Sequence, residues 1–478
     1  MYRNNAEKLS MKLIKTRWVI LIVAVALGMA WGVFKALPFG LPPVEAYFAP
    51  MDQRTLQADE IGQIISVEET FFSLSLTGDD FKGWDTSRRD FWKYSIAFSA
   101  YGVPSLIMID PENKQRYQAL MDAMIWKMKS KRVWSDFTER GFGADPITIQ
   151  NIMYKGHLNL MYGLYHLSTG DLRYAREHAW LTEQIAQEMR LHHNGKYEGV
   201  TCEPNAWFVE CNAIGMLSLH VFDKLYNTKY TENEIQWSLD FIMNRMRDPG
   251  TGLFYRAYLP NHDLIKKELR GYTNAWILSF LTPFAAEQMA QIYPSFRTHL
   301  VESIGPYAAV LNYVNGEPDQ VAQIFGLWAA KEHNDPQLFE KLRNVVDKFG
   351  DLQPKGDNKG MVYDDPNSVL INGVVLASKV HLGWDAVLNH PWPALQVQTA
   401  IPSTETLEWK DILPQQVFNM GSDLKVSGEH VGRACPSCFW GDYKSIRMKK
   451  SEAPKSCSAE QSASCSLDDM DTDIIEIR

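Results

Sequence analysis

Cys202 and Cys211 lie nine residues apart in Thr201-Cys202-Glu203-Pro204-Asn205-Ala206-Trp207-Phe208-Val209-Glu210-Cys211-Asn212, and no other cysteine occurs in the first 434 residues. Two sulfurs this close, beside Glu203 and Glu210, can form a disulfide, bind a metal, or serve as thiols in acid–base or nucleophilic chemistry. A metal is the weakest of the three, because the segment supplies no further His or Cys at useful spacing. Glu203-Pro204 looks like a break that opens a helix. That would set Cys202 near a helix N-terminus, where the thiolate is favoured.

Two other segments concentrate polar groups in an otherwise apolar pattern: Lys93-Tyr94-Ser95-Ile96-Ala97-Phe98 and Asn151 to Gly163, which holds Met153 and His157. His157 follows a glycine at the expected start of a helix. An imidazole titrates near neutrality and suits proton transfer, although a single histidine in an apolar segment is more often structural.

The elements that must position these residues are helical. From about residue 55 to 400 the chain repeats a helix, a short polar turn and a second helix, with apolar residues three and four apart. The expected helices include Lys114–Lys129, Leu158–Leu167, Leu172–Met189, Ala213–Leu225, Thr231–Met246, Ala275–Ile292, Pro294–Leu311, Val321–Lys331 and Pro336–Phe349. Five or six such pairs in one domain predict an all-α fold closed into a toroid. Strand signals are few, around Leu253-Phe254-Tyr255 and Val369–Val375.

The flanks differ. Trp18–Phe34 carries no charge and follows Arg3, Lys8, Lys12, Lys15 and Arg17. This predicts an N-terminal transmembrane helix with a cytoplasmic N-terminus, the rest of the chain lying across the membrane. The competing expectation is a cleaved signal peptide, secreted or periplasmic, with Gly28-Met29-Ala30 as its processing site. The expected organisation is a basic lead and anchor over 1–36, a linker over 37–54, a catalytic domain over 55–400 and a flexible, partly disordered extension over 401–478. That extension carries Cys435, Cys438, Cys457 and Cys465. The first pair has zinc-ribbon spacing and the second does not.

The chain has 15 Trp, 20 Tyr and 22 Phe, enough to line an apolar cavity as well as fill a core. A net charge of −9 with no basic cluster in the body of the chain argues against nucleic acid as a partner.

Four stretches, KYSIAF, Lys131–Tyr165, CEPNAWFVECN and Gly271-Tyr272-Thr273-Asn274-Ala275-Trp276, resemble the linalool dehydratase-isomerase family in order and at length. The resemblance is continuous from about Trp84 to Tyr230 and weaker to about 390. It implies an (α/α)6 barrel and an enzyme that interconverts primary and tertiary allylic terpene alcohols and dehydrates the tertiary one. It also implies no metal and no organic cofactor. The family's pocket residues fall on Tyr94, Met153, His157, Cys202, Cys211 and Tyr272, the cysteines acting as thiols, not as a disulfide. Cys202 and Cys211 are therefore expected to handle protons. His157 and Tyr94 would bind or protonate the hydroxyl. Met153, Tyr272, Glu203 and Phe208 would bind the substrate. A homo-oligomer is a further expectation.

Departures accompany the resemblance. The family's acidic residue falls on Glu69 (or Glu68), and its tyrosine on Ser75. The positions of its structural disulfide fall on Asp79 and Ser130. These motivate an alternative, an isomerase or cyclase of a larger terpenoid or polyketide-like substrate on the same fold. A toroid acting on carbohydrate would need paired carboxylates, and only Glu203 stands out. A non-enzymatic, membrane-tethered scaffold would have no reason to keep two thiols and a histidine in register.

Overall fold

The computed structural model describes residues 42–72, 89–356, 359–397 and 399–413. The expected anchor, Ser75, Asp79 and the four distal cysteines lie outside them. Among the described residues, no helix is long and apolar enough to cross a membrane.

The described chain is mostly helical. Twelve helices alternate between two layers: α1 (Ala58–Phe72), α2 (Trp92–Tyr101), α3 (Lys114–Met128), α4 (Ile152–Thr169), α5 (Ala175–His192), α6 (Val209–Tyr226), α7 (Glu234–Arg245), α8 (Gly271–Phe280), α9 (Thr282–His299), α10 (Gln320–Glu332), α11 (Pro336–Phe349) and α12 (Val375–Val380). The even-numbered helices form a closed ring. Each of α2, α4, α6, α8, α10 and α12 packs on the next, and α12 returns to α2. The odd-numbered helices cover that ring from outside, and α1 packs on α12 and α3.

Sequence dictates the layer. α4 is buried on every face from Ile152 to Ser168, as a helix with neighbours all round must be. α11 is amphipathic: Leu338, Phe339, Leu342 and Val346 face inward, Pro336 opens its first turn, and Asp335 caps the Leu338 amide at 2.9 Å. α4 and α6 approach each other closely. A Cβ on Gly156 would stand 3.3 Å from the Gly215 backbone, so only small residues fit there.

Among the described residues, three short antiparallel sheets decorate the ring. β1 (Trp207–Phe208), β2 (Ala257–Leu259) and β3 (Leu264–Lys266) form one, with Phe208 opposite Ala257. Hairpins β4 (Val301–Ile304)–β5 (Tyr307–Val310) and β6 (Gln353–Lys355)–β7 (Gly360–Val362) form the others.

Several expectations are corrected. Pro294–Leu311 is not a helix: Pro294 lies inside α9, and the chain after His299 becomes the β4–β5 hairpin. Val369–Val375 is not a strand but a π-helical turn over Leu370–Val374 that runs into α12. Its β-branched run is buried in the ring, where packing overrides strand propensity. Residues 42–54 hold a short helix, Val44–Tyr47, joined to the last outer helix by Arg343 Nη1 donating to the Pro42 carbonyl at 2.8 Å.

Candidate active site

Four site residues come from the first turns of successive inner helices: Tyr94 in α2, Met153 in α4, Cys211 in α6 and Tyr272 in α8. The inner helices are parallel, so their N-termini gather at one end of the ring and place positive dipole ends there. His157 projects one turn further in from α4.

Cys202 is not at a helix N-terminus. Asn205, at φ 61°, turns the chain back so that the Cys202 amide donates to Ala206 O at 2.8 Å. The backbone then runs through β1 before α6 begins. Pro204 sits in that turn. What brings the sulfurs together is Asn212, the residue after Cys211. Its side chain accepts from the Val200 amide at 2.9 Å and donates to the Val200 carbonyl at 3.0 Å and the Phe208 carbonyl at 2.9 Å. The Cys202 loop is thereby fastened to the helix carrying Cys211. Gly199, at φ +94°, permits this: a Cβ there would meet Asn212 Oδ1 at 2.4 Å.

Both cysteines are free thiols and buried. The two thiols act on each other's titration. Burial raises the Cys202 thiol well above its usual range, reinforced by Cys211, while the Phe208 amide pulls the other way. Burial raises Cys211 too, with Cys202 opposing it. The resting pair is therefore neutral at physiological pH.

His157 is fully buried among Tyr94, Phe98, Tyr101 and Trp276. Its Nδ1 is 2.6 Å from the Tyr101 hydroxyl, and its Nε2 is buried without a partner. Burial, with the Lys93 charge nearby, lowers its pKa to about 3, so the ring is neutral. In the tautomer in which the Tyr101 O–H donates to Nδ1, the ring proton sits on Nε2 and can be offered. Tyr94 donates to Met153 Sδ at 3.2 Å. Its hydroxyl is pushed well up, by burial first and then by Cys211 and Cys202.

The other predicted residues divide. Glu203 is bound by Arg140 at 2.8 Å, and burial raises its pKa despite that partner. Phe208 and Tyr272 flank Arg256, whose guanidinium lies 5.2 and 5.9 Å from their ring centres. Glu69 is not brought to this cluster: its carboxylate is 3.0 Å from Lys355 on β6, and Glu68 pairs with Arg116. Ser130 caps the short helix Lys131–Glu139. Among the described residues, no group of three or more His, Cys, Asp or Glu is arranged to hold a metal ion.

Tyr101, Trp276 and Glu210 were not assigned from sequence. Tyr101 lies two turns after Tyr94, a spacing that could have flagged it. Glu210 adjoins Cys211, but neither its burial nor its unpaired oxygen is visible in the sequence.

A closed helical ring with two thiols, an imidazole and a phenol at the N-terminal end of its inner helices is the frame of an α/α enzyme with an internal site. The linalool dehydratase/isomerase family model matches residues 93–181 and 177–369, more than half of the chain, and the chain belongs to that family. Linalool dehydratase/isomerase-like function is thereby supported at the family level. Among solved structures, similarity is found to a family 105 glycoside hydrolase of C. acetobutylicum ATCC 824, at 13% identity and TM-score 0.47, over 68% of this chain and 99% of that one. A family 76 glycoside hydrolase from a bovine Bacteroides thetaiotaomicron strain matches at 11% identity and TM-score 0.46, over 70% and 78%. Likenesses this remote say nothing of the chemistry.

Proposed function

We propose that this protein is a cofactor-independent dehydratase/isomerase of an apolar, terpene-type allylic alcohol. The observation that carries the reading is the pair of free, buried thiols, Cys202 and Cys211, beside Tyr94, with a buried, unpartnered His157 Nε2 on the adjacent helix.

The substrate hydroxyl binds between His157 Nε2–H and the Tyr94 hydroxyl. One thiol gives its proton to the oxygen as the carbon–oxygen bond breaks, leaving water, an allylic cation and a thiolate. The thiolate then takes one proton from the neighbouring carbon, which forms the diene and restores the thiol that gave its proton. The second thiol can pass its own proton to the thiolate first and receive the carbon's proton in its place. For isomerisation, water adds at the other end of the allylic system and returns its extra proton to the thiolate. The rings of Tyr94, Trp276, Phe208 and Tyr272 suit a delocalised cation, and burial excludes competing water.

The test is turnover of a C5–C15 allylic alcohol series by Cys202→Ala and Cys211→Ala, followed by gas chromatography. Each variant is expected to fall by roughly 10³-fold or more while its unfolding transition stays in place. Full activity in both variants would end the thiol mechanism.

A further inference from the structure

Glu210 takes no part in that scheme, yet it is the most exceptional charge at this end of the ring. It occupies the first turn of α6, immediately before Cys211, and is 5% exposed. Its Oε1 accepts a hydrogen bond from Thr273 Oγ1 at 3.3 Å, and its Oε2 is buried with no partner at all. A buried carboxylate oxygen left unpaired is costly, so such a group is kept where something else meets it.

The surroundings show from which side. The nearest cation is Arg256, but no ion pair forms: its Nη1 lies 3.5 Å from Glu268, its Nε is unpartnered, and its guanidinium is held over the Phe208 and Tyr272 rings. Arg270, at the N-cap of α8, is drawn to Glu268 at 2.9 Å. On the other side stand Cys211, Cys202 and Tyr94, each of which feels the Glu210 charge. Glu203, on the same side, is already neutralised by Arg140. Glu210 is therefore the buried carboxylate with an uncommitted oxygen in electrostatic reach of the thiols and the phenol. Burial raises its pKa to about 7, against Arg256, its own backbone amide, Thr273 and Arg270, so it gains its charge within the physiological range.

We propose that the Glu210 carboxylate is the counter-charge of this site: it stands opposite a cationic ligand carbon and holds the protons on the neighbouring thiols. A fixed charge in a water-excluded site stabilises developing positive charge without reorganising, while the aromatic rings supply only the weaker, diffuse attraction of their faces. This deepens the dehydratase/isomerase reading, and the test separates the two.

The probe is a protonated tertiary amine bearing a monoterpene chain, compared with its neutral hydrocarbon isostere by calorimetry against the full-length protein. The wild type is expected to prefer the amine, increasingly so as pH rises through about 7. Glu210→Gln should lose the preference by about 10- to 100-fold and become flat with pH. Thr273→Val, which removes the Oε1 hydrogen bond, should shift the pH dependence upward. If Glu210→Gln fails to fold, that shift serves as the test. An amine preference unchanged in Glu210→Gln, absent from the wild type, or unshifted in Thr273→Val overturns the proposal. None of these binding readouts depends on turnover, so inactivity toward every allylic alcohol would remove the reaction and leave the counter-charge standing.

Discussion

Asn212 holds both sides of one residue: its Oδ1 takes the Val200 amide and its Nδ2 gives to the Val200 carbonyl, at 2.9 and 3.0 Å. All of these groups are buried, so the Cys202 loop has one position relative to α6. Asn212→Ala strands the Val200 amide and carbonyl together. The expected loss is roughly 2–4 kcal/mol in urea denaturation, and turnover should fall further than the remaining folded fraction explains. An unchanged midpoint would show that the loop is held by other means.

One lysine ties the ring to its outer layer. Lys379, on α12, reaches Asp59 on α1 at 3.0 Å, Gln63 at 3.2 Å and Asp347 on α11 at 2.9 Å, and it is fully buried. It joins the first outer helix to the last hairpin. The two carboxylates raise its pKa against the effect of burial. Lys379→Met leaves Asp59 and Asp347 buried without their cation and should cost about 3–5 kcal/mol. Guanidinium unfolding at neutral pH checks this, and adding Asp347→Asn should recover part of the loss.

How far this was legible follows from what each residue needed. Helices such as Pro336–Phe349 were readable to the residue, because proline at the first position, aspartate at the cap and an amphipathic stripe all agree. Cys202, Cys211 and His157 stood out by residue type and spacing, the family resemblance gave them and Tyr94 their roles, and the structure gathers them. Glu69 was assigned through a stretch with no firm motif to fix a register, and within this chain it pairs with Lys355. The Val369–Val375 run misled because a short, largely buried apolar segment reads alike as strand or inner helix. Glu210 could not be found from sequence, since an unpaired oxygen is a property of three-dimensional packing.

Tyr101 is expected to act through His157. Its ring stacks on the imidazole at 5.9 Å between centres, and its hydroxyl is 2.6 Å from Nδ1. Tyr101→Phe keeps the ring and removes the hydroxyl, so the tautomer with the proton on Nε2 loses its support. A kcat reduction of roughly 10- to 100-fold with little change in KM or in thermal midpoint is expected. A variant with wild-type kcat would show that the tautomer is fixed without Tyr101.

Buried histidines set the acid limit of the fold. His157 and His178 are both fully buried, and burial lowers each pKa to about 3. Unfolded, each would titrate near 6.5. Between pH 6.5 and 3 the unfolded chain therefore binds more protons, and stability falls as pH falls through that window. These two groups together contribute a slope of at most about 2.7 kcal/mol per pH unit. His178 isolates one share, because neither of its ring nitrogens has a hydrogen-bond partner and it packs against Phe222 at 5.0 Å between ring centres. His178→Leu removes the proton uptake and an unsatisfied polar group together. It is expected to leave stability at pH 7.5 unchanged or slightly higher, and to flatten the pH dependence below 6.5 by about one proton. Urea midpoints at half-unit intervals from pH 8 to 4 provide the measurement. Parallel curves for the variant and the wild type would mean that folding leaves the proton affinity of His178 unchanged.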